Sequence, residues 1–228
     1  EMLLFNEDNP LCFYTASDTA SGDADSRPST VVWAVRGTGE RIVWAAKTYD
    51  EEADLIDDLF VLWNTLPGVV VAMGVERASE GGISCLKEIE RQCRVRSQWP
   101  PIEEVRHGGE SKDGRILGTL RPLYRRKMVY HHPNLRDGEY EREILEFGRY
   151  KFKDIADASA YAGRLSDKYG YILDVGNTED RKRGVLVAAG SGDNIGYTFG
   201  ELMDPDMDGW DEVDEERGGH RAPAGSIL

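Results

Sequence analysis

The chain has 228 residues, 40% of them apolar, with a formal net charge of −14 and three cysteines, enough apolar content to bury a core without disulfide or metal staples. The cysteines (Cys12, Cys85 and Cys93) are odd in number and unpatterned; they make neither a disulfide framework nor a zinc pair, and point to a reducing, cytoplasmic setting. No apolar run reaches the roughly 18 residues of a membrane span and the opening residues have no signal-peptide layout, so no membrane role is expected.

Leu11–Ser17 (LCFYTAS) predicts a buried strand ending at Asp18, followed by a loop over Thr19–Ser29 rich in Ser, Asp, Gly and Pro. Thr30–Arg36 (TVVWAVR) and Arg41–Lys47 (RIVWAAK) are β-branched and aromatic, and with Gly37-Thr38-Gly39-Glu40 between them they predict a hairpin. Thr48–Glu52 reads as a helix start with a capping hydroxyl and first-turn acids. Leu55, Ile56, Leu59, Phe60 and Trp63 give that helix its apolar face, and Leu66-Pro67-Gly68 ends it. Val69–Val75 (VVVAMGV) is continuously apolar, as suits a central strand covered on both sides, with Glu76 at its carboxyl end.

A second helix over about Gly82–Cys93 leads into a polar stretch through Trp99-Pro100-Pro101. Ile116, Leu120 and Leu123 predict a short helix after Lys112, Met128–His131 a strand, and Glu139–Phe147 another helix. Asp154–Leu165 (DIADASAYAGRL) is alanine-rich and amphipathic, with Ile155, Ala158, Tyr161 and Ala162 on one face. Beyond about Tyr171 the composition turns to Gly, Asp, Asn and Pro, so residues 1–175 read as one domain and 176–228 as an acidic, partly ordered extension. The order β-β-β-α-β-α followed by further α/β implies an α/β fold, a mixed sheet with helices on both faces, and not a doubly wound nucleotide fold.

Charge is spread unevenly. Residues 201–217 hold nine acids and one base, whereas residues 87–136 hold twelve Lys/Arg against six Asp/Glu. A phosphate-backbone binder needs local positive charge, not global, so a basic middle is compatible with nucleic acid despite the net charge. Arg121, Arg125, Arg126 and Lys127 could grip phosphates along one strand; an ordinary solvated face is the plainer alternative.

Four acids stand where such a sheet would gather them. Asp18 ends the first strand, Glu76 ends the fourth, and Asp154 and Asp157 open a late helix at i and i+3, one face of a helix. If the first and fourth strands are parallel neighbours, these carboxylates share one edge and repel each other unless cations neutralise them. Mg²⁺ or Mn²⁺, two ions about 3.5–4 Å apart, would suit oxygen ligands and hydrolysis of a phosphodiester. Taken singly, each acid also has a structural explanation as turn former, strand end or first-turn helix acid. His131 and His132 are adjacent on a strand and point to opposite faces, which argues against a shared metal. His107 and His220 are isolated.

The order of these segments resembles the C-terminal nuclease of large terminase subunits from tailed phages. FYTASDTASGDADSRPSTVVWAV is similar to that family's opening acidic strand, VVVAMGVERASEGG to its second, SKDGRILGTLRPLYRRKMVYHH to its basic stretch, and EREILEFGRYKFKDIADASAYA to its closing pattern. The resemblance spans about Phe13 to Leu165 and implies a ribonuclease-H-like nuclease cutting concatemeric double-stranded phage DNA in the cytoplasm of an infected bacterium. It implies that Asp18, Glu76, Asp154 and Asp157 are catalytic metal ligands, with Lys112 and Arg115 a phosphate-binding basic pair. Two departures stand out: Lys153 replaces the first acid of the closing pair, and Gly148 replaces a proline. The family's nuclease follows a packaging ATPase and works with a portal and a small terminase subunit. Ala189-Gly190-Ser191-Gly192 is no phosphate loop, so the motor is expected upstream of Glu1. A Holliday-junction resolvase, a ribonuclease H, or a silent protein-docking module of the same fold are the alternatives.

Overall fold

The computed structural model describes residues 11–19, 26–77, 80–106, 108–171, 186–187 and 196–197. The chain divides into two units, Glu1–Asp174 and Val175–Leu228. In the second, Leu186–Val187 and Gly196–Tyr197 form a short antiparallel ladder; the rest of the expected acidic extension lies outside the described residues, as do His107 and His220.

In the first unit, β1 (Cys12–Asp18), β2 (Ser29–Val35) and β3 (Arg41–Thr48) form an antiparallel meander. β4 (Val69–Glu76) lies parallel to β1, β5 (Ile102–Val105) parallel to β4, and β6 (Val129–His131) parallel to β3. The resulting order is β5-β4-β1-β2-β3-β6, a mixed sheet of the α/β class, as expected from the sequence. Every residue of β1 and β2 is buried, because helices cover both faces of the sheet centre.

Alternation along β4 assigns the faces. Met73 and Val75 pack with Leu55, Ile56, Leu59 and Phe60 of α1 (Glu52–Thr65) and with Cys85, Ile89 and Cys93 of α2 (Glu80–Arg96). Gly74 and Glu76 face the other way, toward α5 (Asp154–Tyr169). A Cβ on Gly74 would stand 2.8 Å from Leu165 Cδ1, and one on Gly163 would meet Thr119 and the Trp33 ring, so small residues set how closely α5 seats. α5 is buried at every position from Asp154 to Gly163, between the sheet, α3 (Lys112–Arg125) and α4 (Glu139–Leu145).

Two local expectations are corrected. Thr48 does not cap α1: it ends β3 opposite Ser29, its hydroxyl donates to Glu139, and Glu51 occupies the cap position without a side-chain bond. The polar stretch after Pro101 contains β5. Its acids had hidden an edge strand, in which Glu103 bonds Lys168 and Tyr169 while Glu104 bonds Arg77 and Arg106.

Candidate metal centre

The β1–β4 register pairs Ala16 with Gly74 and Ser17 with Val75. The next residues, Asp18 and Glu76, therefore leave adjacent parallel strands side by side, on the face that carries α5. Asp157 reaches them from the first turn of that helix. One oxygen from each of Asp18, Glu76 and Asp157 lies within 4.8 Å of the others, and the three residues are 4%, 5% and 1% exposed.

α3 and α5 run side by side in the same direction, and their charges match turn for turn. Lys112 Nζ lies 2.7 Å from Asp154 Oδ1, and one turn on Arg115 grips Asp157 through Nε and Nη2 at 2.7 and 2.6 Å. Further along, Arg164 donates to the Thr119 hydroxyl. Lys-x-x-Arg on one helix thus meets Asp-x-x-Asp on the other, because i and i+3 share a helix face. Lys153, the departure from the closing acidic pair, ties the two helix starts together by bonding Asp113 at 2.8 Å.

Asp154 is 3% exposed but stands apart from the three converging oxygens. It is joined to them through Lys112, whose ammonium is also 2.9 Å from Asp18 Oδ2 and 3.7 Å from Asp157 Oδ2. Its other oxygen accepts from the Arg27 backbone N–H at 3.1 Å.

Burial raises the Asp18 carboxyl well above the ordinary range; Lys112 opposes this, and Glu76 and Asp157 add to it. Asp157 is also raised by burial, with Arg115 and Lys112 pulling the other way. Burial works against the Lys112 charge, yet Asp18, Asp154 and Asp157 together lift its pKa above that of a free lysine. Four buried or bridged carboxylates with all-oxygen donors are costly without cations. The donor set fits a hard divalent ion such as Mg²⁺ or Mn²⁺.

Three residues at the site escaped the sequence reading. Tyr161, assigned to the apolar face of α5, donates its hydroxyl to Glu76 Oε1 at 2.6 Å; its i+4 spacing from Asp157 was the available signal. Glu143 of α4 accepts the Ala156 N–H at 2.9 Å and so caps α5, where Lys153 offers no side-chain cap. Burial foremost pushes the Glu143 carboxyl up to about 7, against the Ala156 N–H and with Asp154 and Glu139 adding. Arg27 lies 3.8 Å from Glu143 and bonds Glu139 at 2.6 Å.

Of the residues read as phosphate-binding, Arg115 is buried at 3% exposure against Asp157, with only Nη1 lacking a hydrogen-bond partner. Arg125, Arg126 and Lys127 are exposed at the far end of α3, roughly 20 Å from Lys112 at 1.5 Å per helical residue. Together with exposed Arg121 they make no ion pair with another described residue. Arg126 also lines an open groove of about 470 Å³ with Arg41 and Arg164. His131 and His132 do not meet at a metal. His131 bonds Tyr124 and Glu141, and His132 packs against Trp44 with the rings tilted at 46°. The three cysteines are buried.

No protein-family model matches the chain, and no curated protein matches it. Among solved structures it is similar to the fowlpox virus Holliday junction resolvase, at 13% identity over 68% of this chain and 96% of that one, with a TM-score of 0.42. It is similar to the yeast mitochondrial Holliday junction resolvase at 14% identity over 65% of this chain and 76% of that one, with a TM-score of 0.37. It is also similar to the HK97 bacteriophage large terminase at 13% identity over 56% of this chain, with a TM-score of 0.39; the match covers 32% of that protein.

Proposed function

We propose that this chain is a divalent-metal-dependent endonuclease that cuts double-stranded DNA, acting on concatemeric phage DNA during genome packaging. The observation that carries the reading is the meeting of Asp18, Glu76 and Asp157, far apart in sequence, at one buried point within 4.8 Å. Asp18, Glu76 and Asp157 hold the cation. Asp154 shapes its surroundings through Lys112. When bound, the cation polarises the phosphodiester and lowers the pKa of an attacking water.

The protein's own groups position the ligands. Tyr161 fixes one oxygen of Glu76, and the Arg115 fork fixes both oxygens of Asp157. Arg125, Arg126 and Lys127 contact phosphates farther along the duplex, where unpaired cations add affinity without sequence preference. The duplex substrate and the partners (an upstream packaging ATPase, a portal and a small terminase subunit) follow from the resemblance between Phe13 and Leu165.

The test is cleavage of linear duplex, four-way junction and RNA–DNA hybrid with Mn²⁺ or Mg²⁺, by the wild type and by Asp18→Asn. Metal-dependent cleavage of duplex that Asp18→Asn abolishes is expected. Preferential cutting of the junction moves the reading to a resolvase. Loss of no activity in Asp18→Asn, or no cleavage of any substrate, rejects the nuclease.

A further inference from the structure

We propose that the Lys112 ammonium takes the place of a second cation, so that the centre is built for one divalent ion, held by Asp18, Glu76 and Asp157. The inference rests on the metal-dependent reading above and replaces the two-ion arrangement expected from the sequence.

Geometry supports it first. A second ion would need oxygens from an acid shared with the first ion and from the start of α5. Lys112 Nζ already occupies that place, 2.9 Å from Asp18 Oδ2, 2.7 Å from Asp154 Oδ1 and 3.7 Å from Asp157 Oδ2. An ammonium has three donors, and here three carboxylates surround it.

Formal charge supports it independently. Asp18, Glu76, Asp154 and Asp157 carry −4, and Lys112 with Arg115 carries +2, leaving −2. One divalent ion cancels that remainder. Two would leave an excess of +2 in a site whose acids are at most 5% exposed, which is unfavourable at low dielectric.

The lysine is also held in position. It is the first residue of α3, after a Ser111 cap that accepts the Gly114 N–H at 3.1 Å. Arg115–Asp157 and Lys153–Asp113 clamp that helix start to α5 on either side. Displacing the ammonium would break contacts to three carboxylates without moving the helix that presents it.

The test is Mn²⁺ stoichiometry of the full chain by calorimetry, with electron paramagnetic resonance to detect coupling between neighbouring ions. The wild type and Lys112→Arg are expected to bind one uncoupled Mn²⁺. Lys112→Met, of similar length but neutral, is expected to bind two, with an exchange-coupled spectrum. Two coupled ions in the wild type would overturn the inference, whether or not the Met variant folds. So would a folded Lys112→Met, checked by circular dichroism, that still binds one ion. No Mn²⁺ bound by the wild type would instead overturn the metal centre itself.

Discussion

Tyr161 and Glu76 are 85 positions apart, and the tyrosine hydroxyl donates to Glu76 Oε1 at 2.6 Å. Tyr161 lies one turn beyond Asp157 on α5, so a single helical stripe supplies both a proposed ligand and the group that orients another. Arg115 closes the arrangement, its guanidinium 4.6 Å from the centre of the Tyr161 ring. Tyr161→Phe keeps the ring and removes only this donor. Mn²⁺ affinity, measured by calorimetry, is expected to fall about 10- to 100-fold. Unchanged affinity would show that Glu76 needs no such orientation.

Arg115 and Asp157 form a buried pair with side-chain exposures of 4% and 1%. Arg115→Met leaves an uncompensated carboxylate in the interior and is expected to cost about 3–5 kcal/mol in denaturant unfolding. Adding Asp157→Asn should return part of that loss, since the stranded charge is gone. Strictly additive losses would contradict the pairing as the source of the effect.

Glu143 makes stability depend on pH. Its folded pKa of about 7 lies above the ordinary 4.5, so the fold favours the protonated carboxyl. That stabilisation is fully present below the unfolded value and is lost as pH rises through the folded one. The difference corresponds to roughly 3 kcal/mol at most. Glu143→Gln, permanently neutral, is expected to melt above the wild type at pH 8 and close to it at pH 4. A wild type that melts higher at pH 8 would mean that the charged carboxylate, through Arg27, is what the fold uses.

Gly74 sets the distance between α5 and β4. Gly74→Val places atoms where Leu165 Cδ1 and Val105 Cγ1 stand, at 2.8 and 3.0 Å from the added Cβ alone. Overpacking of this kind costs about 1–3 kcal/mol. Because α5 also carries Asp157 and Tyr161, weaker Mn²⁺ binding should accompany the lower melting temperature. A destabilised variant with intact metal affinity would separate the helix seat from the site.

Arg125, Arg126 and Lys127 can be removed together without touching the acids. Replacing all three by alanine is expected to weaken duplex binding and to reduce the slope of log affinity against log salt by up to about 3, near 0.9 per lost phosphate contact. Mn²⁺ stoichiometry should not change. A salt slope equal to that of the wild type would exclude this end of α3 from the DNA path.

Much of the frame was legible in residue order. Continuous β-branched and apolar runs placed β1 to β4, and 3.6-residue spacing placed α1 and α5, within a few positions of where they lie, and Asp18 and Glu76 fell at strand ends. β5 was hidden, because an edge strand needs few apolar residues and IEEV spends its acids on neighbouring cations. Thr48 was misassigned, because a hydroxyl before a run of acids reads as a cap whether the chain there is turning into a helix or finishing a strand.

What the sequence by itself determined is local: hydrophobic patterning, the four acids at strand ends and a helix start, and a basic pair three residues apart at Lys112 and Arg115. Which atoms meet was decided only by tertiary structure. The β1–β4 register set Asp18 beside Glu76, and the close parallel seating of α3 on α5 buried Arg115 and drove Lys112 among the carboxylates. Periodicity reports which side of an element faces inward, whereas a bond between residues 42 to 94 positions apart depends on how two faces slide and rotate against each other.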